Sequence, residues 1–202
     1  MVGGDTACRD AVWAAGDVGA VGALLVWPSG IVQHGGVVLG PSFAARHAFN
    51  DRVDSDGGYG DLLHVAHECS AVTAACLVTR RRDYLNVGGM DEIRFPVNFN
   101  DVDYCLKLRA NGMRIVFTPH AKLMHLESAS RGSAVGAGQT ERFERELQNL
   151  REKWGDVLAA DPYYNPMLSR DPIPYSALAW PAAPMQPRVN QPPVPTEIPA
   201  GF

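Results

Sequence analysis

The stretch that decides the fold runs from Val87 to Arg131 and reads VGGMDEIRFPVNFNDVDYCLKLRANGMRIVFTPHAKLMHLESASR. The pair Gly88-Gly89 predicts a sharp turn, because glycine adopts left-handed backbone conformations at little steric cost. Asn100-Asp101 predicts a helix N-cap followed by an acidic first turn, and Gly112 predicts the end of that helix. Polar side chains therefore stand at the junctions between elements, where α/β folds usually place their ligand sites.

Apolar runs inside and before this stretch predict the strands of a buried sheet. Residues 18–27 form a valine- and leucine-rich run that suits a strand covered on both faces. A turn signal and a second extended segment at residues 31–39 predict a hairpin-like excursion. Further on, residues 114–118 predict a strand that Pro119 stops, and residues 122–126 predict another short extended piece.

The clearest helix signal lies at residues 139–154. Apolar residues recur there at helical spacing and predict a stripe that contacts the core: Phe143, Leu147, Leu150 and Trp154. Residues 40–67 are rich in loop formers, and the proline-rich, nearly uncharged end of the sequence predicts a disordered tail. The expected organisation is a truncated N-terminal edge at residues 1–16, a folded region at 17–180 and the tail at 181–202.

The composition is that of an ordinary globular protein, with 46% hydrophobic residues, 20% charged residues and a net charge of -4. It argues against a nucleic-acid partner, because no excess of Lys and Arg is available to neutralise phosphates. The one basic run, Arg80 to Arg82, predicts a solvated end of an element. The four cysteines form no CxxC pair, so we expect no zinc site or disulfide framework and a reduced, cytoplasmic setting. No apolar run approaches the ~18 residues that would suggest a membrane span.

We expect the isolated histidines and cysteines to have structural roles in packing. His34 precedes a glycine pair, and we expect it to be a packed or hydrogen-bonded residue rather than a ligand. The other histidines of the first half match no ligand motif. Cys76 and Cys105 lie inside apolar patterns and are expected to be small core residues.

Three interpretations compete for Asp101 and Asp103. A calcium loop of the EF-hand type fails, because no glycine stands at the sixth position and no glutamate closes a twelve-residue loop. Helix capping stays open, since a carboxylate near a helix N-terminus gains a few tenths to about 1 kcal/mol from the helix dipole. A general base also stays open, since a carboxylate can remove a proton from a hydroxyl within hydrogen-bond reach. His125 lies in an apolar run and is either a core histidine or a ligand of a divalent cation.

Three segments of the deciding stretch stand in a specific order. They are VGGMDE at residues 87–92, NDVDYCLKLR at residues 100–109, and a run from Gly112 to His125 that contains Pro119 and Ala121. Together they resemble the C-terminal half of family 2 inverting glycosyltransferases with the GT-A fold. The resemblance extends over residues 18–40, which are similar to the mid-region of that family, and over residues 161–169, which resemble its bacterial polysaccharide-assembly members.

The resemblance implies an α/β fold, a partial GT-A (Rossmann-like) mixed sheet flanked by helices, with the N-terminal nucleotide-binding strands largely missing. It implies that Asp101 is the base that deprotonates an acceptor hydroxyl, whose oxygen then attacks the anomeric carbon of a nucleotide-sugar with inversion. The residues implied on the acceptor side are Asp91, Glu92 and Asp103. The residues implied to hold Mg²⁺ or Mn²⁺ are His125 and Asp5, and the metal would neutralise charge on the leaving diphosphate.

The implied activity is a hexosyltransferase reaction of polysaccharide biosynthesis, with a glycan or lipid-linked acceptor. The implied location is cytoplasmic, with peripheral association at the inner face of the cell membrane. Asn100 stands where the family places a glutamate before the base. Because the nucleotide-binding half is missing, one alternative stays open: a non-catalytic remnant or binding module that needs a partner chain to supply that half.

Overall fold

A computed structural model describes residues 16–126 and 137–181 of the chain. Its central element is strand β1, Val18–Val26, in which every residue is buried. The run VGAVGALLV contains only apolar and small side chains, so both faces of the strand are covered without burying a polar side chain. The prediction of a buried strand at this place is confirmed.

A mixed, five-stranded sheet surrounds β1, and the expected α/β class is confirmed. In chain order the strands are β1, β2 (Val32–His34), β3 (Val37–Leu39), β4 (Ala45–His47), β5 (His67–Glu68), β6 (Leu77–Thr79) and β7 (Arg114–Met124). Strand β7 runs parallel to β1 on one side, and β5 pairs antiparallel with the outer edge of β7. On the other side of β1, β2 and β6 pair antiparallel with different parts of the strand.

The predicted hairpin-like excursion is formed by β1 and β2, in which Leu25 pairs with His34 and Val26 with Val32. The chain then changes direction at Gly36, whose φ of 97° is a backbone conformation that favours glycine. Strand β3 consequently leaves the main sheet and pairs with β4 in a separate two-stranded sheet.

Strand β7 does not end at Pro119, so that prediction is wrong. Ala23 of β1 pairs with Thr118, but the next residue of β1 pairs with Lys122. The residues between these two positions form a bulge, which accommodates a proline because the bulged residues need no ladder hydrogen bond. The two short extended segments expected from the sequence are one strand, and that strand carries the chain to His125.

Three α-helices lie in the described part of the chain: α1 (Arg81–Asn86), α2 (Asn100–Ala110) and α3 (Ala137–Ala159). The predicted α2 is confirmed, but Asn100 is not its N-cap. Phe99 occupies that position in a left-handed conformation, with a φ of 59°, and provides no side-chain cap. Asn100 is the first helical residue, and its side chain instead donates to the carbonyl of Val97 at 3.5 Å.

The apolar stripe predicted on α3 contacts the core. Leu147 and Leu150 are buried, and the Phe143 ring lies 5.4 Å from the ring of Phe99, next to α2. The helix extends beyond both predicted ends and is irregular at Trp154, where φ is -125°. Helices α2 and α3 and one face of the sheet share the larger apolar core.

The opposite face of β1 belongs to a second, smaller core. Its buried members are Val18, Val21, Ala23, Leu25 and Ala121. Arg80 lies close to the beginning of this strand, is buried, and donates to the carbonyl of Val18 at 3.1 Å. It also pairs with Asp83 at 3.0 Å. The prediction of a solvated basic run is therefore wrong for Arg80, whereas Arg81 and Arg82 are exposed as expected.

No helix within residues 16–126 and 137–181 is long and apolar enough to cross a membrane. Residues 1–15, which include Asp5, and residues 182–202 lie outside the described residues, so the expectations of a truncated N-terminal edge and of a disordered tail stay predictions.

Candidate functional site

Asp101 lies in the first turn of α2 and is half-buried. Its Oδ2 accepts a hydrogen bond from the backbone N–H of Ala74 at 3.1 Å, and its Oδ1 accepts one from the N–H of Val102 at 2.9 Å. A carboxylate oxygen has two lone pairs, so each oxygen keeps acceptor capacity beyond its backbone donor. This arrangement fixes the orientation of the carboxylate and leaves it able to accept a proton from a hydroxyl that comes within reach.

Asp103, two residues further along α2, lies in a different environment. Its side chain is fully buried, and its Oδ1 accepts from Trp154 Nε1 at 2.8 Å and lies 2.6 Å from Lys153 Nζ. Its Oδ2 lies 3.5 Å from Lys107 Nζ. The contacts of Oδ1 with Trp154 and Lys153 join α2 to α3, whereas the contact with Lys107 lies within α2. An acceptor-binding role for Asp103 stays a prediction, and it would require a group that reaches into this buried contact.

The other two residues expected on the acceptor side lie in the turn before α2. Asp91 Oδ1 accepts from the backbone N–H groups of Ile93 and Arg94, at 3.2 and 2.9 Å. The bond from Arg94 is the main cause that holds the pKa of Asp91 below its usual range, and Lys153, 3.8 Å from Oδ2, acts in the same direction. Glu92 is exposed. The ammonium group of Lys153 therefore contacts both Asp91 and Asp103.

His125 follows the end of β7, and its backbone N–H donates to the carbonyl of Val26 at 3.0 Å. Its Nδ1 lies 2.8 Å from Oε1 of Gln33. Because an amide oxygen only accepts hydrogen bonds, Nδ1 must carry the proton, and a neutral ring then has its lone pair on Nε2. A histidine that binds a metal commonly has this arrangement, with one nitrogen donating to an oxygen and the other facing the ion.

The five predicted site residues that the structure describes contact different parts of the chain. Asp91 and Asp103 meet at Lys153, Asp101 contacts the segment around Ala74, and His125 contacts β2. Among residues 16–126 and 137–181, no group of three or more His, Cys, Asp or Glu side chains could hold a metal ion. Any site shared by His125 and Asp5 would include a residue that the structure does not describe, so it stays a prediction.

A small cavity lies between the start of β3 and the segment that follows α3. Its volume of ≈ 10 Å³ leaves room for about one water molecule, and its lining includes Gly36, Cys69, Asp161 and Tyr163. Burial raises the pKa of the Cys69 thiol to about 12, so this cysteine is an inert thiol at neutral pH. Burial likewise raises the pKa of Asp161, which accepts from the N–H of Leu39 at 2.7 Å. The cavity is too small for a sugar or a nucleotide.

Sequence reasoning missed two residues that organise the candidate site. Lys153 is hidden in the charged pattern of α3, and its role depends on a contact with α2 that the pattern does not reveal. Gln33 has no motif around it, although it fixes the ring of His125. His34 was expected to be packed, which is confirmed, but its partners could not be inferred.

Comparison with known proteins gives two relatives and no family assignment. The chain is 42% identical over 165 residues to the uncharacterized protein y4gI of Sinorhizobium fredii, which is 81% of this chain and 18% of that protein. It is 37% identical over 157 residues to the O-antigen biosynthesis protein RfbC of Myxococcus xanthus, which is 76% of this chain and 12% of that protein. The chain thus spans a small part of the length of either relative. No family model matches the chain, and no solved structure matches it.

Proposed function

We propose that this chain is part of an inverting glycosyltransferase of family 2 with the GT-A fold. It would transfer a hexose from a nucleotide-sugar to a hydroxyl of a glycan or of a lipid-linked acceptor. The mixed sheet with helices α2 and α3 on one face is compatible with part of a Rossmann-like fold. Similarity to a relative named for O-antigen biosynthesis supports a role in polysaccharide assembly.

The observation that carries the proposal is the setting of Asp101. Its carboxylate lies in the first turn of α2, is held by one backbone N–H on each oxygen, and is partly open to solvent. A hydroxyl that approaches the carboxylate can transfer its proton while its oxygen attacks the anomeric carbon. General-base catalysis of this kind contributes about 10²- to 10⁴-fold to a rate.

The tautomer of His125 fits a metal ligand, because the bond from Nδ1 to Gln33 leaves Nε2 as the unprotonated nitrogen. His125 and Asp5 would hold Mg²⁺ or Mn²⁺, which would neutralise charge on the departing nucleoside diphosphate. We expect the chain to act in the cytoplasm, at the inner face of the membrane where lipid-linked acceptors are assembled.

The test uses the 202-residue chain with Mn²⁺ or Mg²⁺ and a panel of UDP- and TDP-sugars. Calorimetry measures donor binding, and release of nucleoside diphosphate in the presence of simple glycoside acceptors measures turnover. Asp101→Asn should lower kcat by about 100-fold or more without changing the melting temperature, because it removes the base and keeps the shape. The matched control is Asp156→Asn, an exposed carboxylate on α3, which should leave turnover unchanged.

Three outcomes separate the competing interpretations. Full turnover by Asp101→Asn would exclude Asp101 as the base. His125→Ala should raise the Mn²⁺ concentration needed for half-maximal turnover, and an unchanged requirement would make His125 a core histidine only. If the isolated chain binds no donor, it has no autonomous activity, and the alternative of a binding module that needs a partner chain is favoured.

A further inference from the structure

A pair of histidines, one buried and one exposed, lies beside the segment that contacts Asp101, and the proposed reaction does not use it. His34 on β2 is fully buried, and its ring packs edge-on at 6.3 Å from the ring of Phe117 on β7. Its Nδ1 lies 2.9 Å from Nδ1 of His47 on β4, which is exposed. Burial, followed by the charge of His47, holds the pKa of His34 well below its ordinary value, so the ring is neutral near pH 7.

The hydrogen bonds around His34 define its tautomer. The backbone N–H of Thr73 donates to Nε2 of His34 at 3.4 Å. A backbone N–H can only donate, so Nε2 carries the lone pair and Nδ1 of the neutral ring carries the proton. That proton points to Nδ1 of His47, which acts as the acceptor. His34 therefore has a partner for each ring nitrogen, and its orientation is fixed between two strands and one loop.

The three residues that begin with Thr73 distribute their N–H groups among different partners. The N–H of Thr73 is held by His34, and the N–H of Ala74 is held by Asp101 Oδ2 at 3.1 Å. The N–H of Ala75 is held by the hydroxyl of Thr73 at 3.3 Å, which starts a short 3₁₀ turn. If the N–H of Thr73 loses its bond to His34, the backbone of Thr73 can turn. The N–H of Ala74, which orients the carboxylate of Asp101, then changes direction as well.

We propose that His34 is a positioning residue for Asp101, acting through the backbone of Thr73, which joins the peptide held by His34 to the peptide held by Asp101. This inference rests on the proposed function, in which Asp101 is the base. A base must be held in its productive geometry, and a misplacement of about 1 Å can cost about 100-fold in rate. The burial of His34 in the core provides the rigid point from which this loop is held.

Two substitutions separate hydrogen bonding from packing. His34→Gln can place its amide oxygen near the position of Nε2, whereas His34→Leu has a similar size and no acceptor. His34→Leu should lower kcat by about 10- to 100-fold with the KM for the donor changed less than about threefold, and His34→Gln should restore kcat to within about threefold of the native chain. Equal losses in both variants, or full activity of His34→Leu, would overturn the proposal.

Amide hydrogen exchange of the same variants tests the coupling without turnover. In His34→Leu, exchange should accelerate at both Thr73 and Ala74 and return towards the native rate in His34→Gln. The matched control is the N–H of Cys69, which donates to the carbonyl of Ile115 at 3.0 Å and should keep its rate. An unchanged rate at Ala74 overturns the proposal. If the native chain transfers no sugar, the proposed function fails, and the exchange rates still decide whether His34 positions Asp101.

Discussion

The sharpest prediction about stability concerns the buried carboxylate of Asp103. Asp103→Ala would leave the ammonium of Lys153, now 2.6 Å from Oδ1, and the indole N–H of Trp154, now at 2.8 Å, without their shared acceptor. Removal of one partner from a buried ion pair costs about 3–5 kcal/mol. The Lys153 side chain is 23% exposed, so water recovers part of that loss. We therefore expect the lower end of the range, about 3 kcal/mol of the free energy of unfolding.

Two further variants divide this energy into its parts. Asp103→Asn keeps an oxygen for Trp154 and removes the charge, so its cost should lie between those of the native chain and Asp103→Ala, at about 1.5–3 kcal/mol. Adding Lys153→Met to Asp103→Ala removes the ammonium that lost its partner, and the double variant should recover part of the stability. Urea denaturation followed by circular dichroism and by tryptophan fluorescence provides the measurement.

A small cost would refute this reasoning. If Asp103→Ala lowers the free energy of unfolding by less than about 1 kcal/mol, the contact between α2 and α3 is not held by this pair. If the same variant weakens acceptor binding at unchanged stability, Asp103 acts on the acceptor as the sequence implied. A large loss of stability would instead identify its contact with α3 as its main role.

Two other predictions concern packing and pH. A Cβ atom at Gly22 would lie 2.4 Å from Cβ of Val72, so Gly22→Ala should destabilise the chain by about 1–3 kcal/mol, and Val72→Gly, which removes that Cβ, should relieve part of that cost in a double-mutant cycle by urea denaturation. An additive cycle would contradict the clash. The folded pKa of His34 lies below its ordinary value of 6.5, so unfolding takes up a proton, and its contribution is present above pH 6.5 and is lost as pH falls. The free energy of unfolding from urea denaturation should therefore fall as the pH is lowered below 6.5, with the contribution of His34 approaching about 1.4 kcal/mol per pH unit. His34→Gln should reduce this slope and leave the part due to His67, whose pKa burial also lowers, whereas the exposed control His64→Gln should keep the native slope. An equal slope in His34→Gln and in the native chain would contradict this.

The elements that sequence could predict are those whose signals are local. The run at β1, the glycine turn at residues 88–89 and the stripe on α3 each depend on side chains that are neighbours in sequence, so pattern and propensity suffice. The error at Pro119 has the opposite origin. A proline ends a regular strand, but the register of β7 against β1 places it in a bulge, and register is set by the partner strand.

The candidate site was less predictable because its contacts join distant parts of the chain. Asp101 could be selected from its place at the start of a helix, yet its partner Ala74 lies in a 3₁₀ turn 27 residues earlier, and no pattern in the sequence pairs the two. The difference between Asp101 and Asp103 could not be predicted either. Both stand in the first turn, and only the packing of α3 leaves one half-buried and covers the other.

The packing of α3 also determines how accessible each of the three carboxylates expected on the acceptor side is to an acceptor. Asp103 has no exposed surface, so an acceptor hydroxyl could reach it only by opening the contact with Lys153, at an energetic cost of the size estimated above. Asp91 uses one oxygen in its own turn and directs the other towards the same ammonium. Glu92 extends into solvent from a loop that α3 holds in place through Glu146, which accepts from the N–H of Val97 at 3.3 Å. In the proposed reaction we therefore expect Glu92 to be the carboxylate that contacts the acceptor, while Asp91 and Asp103 fix the loop and the helix that carries Asp101.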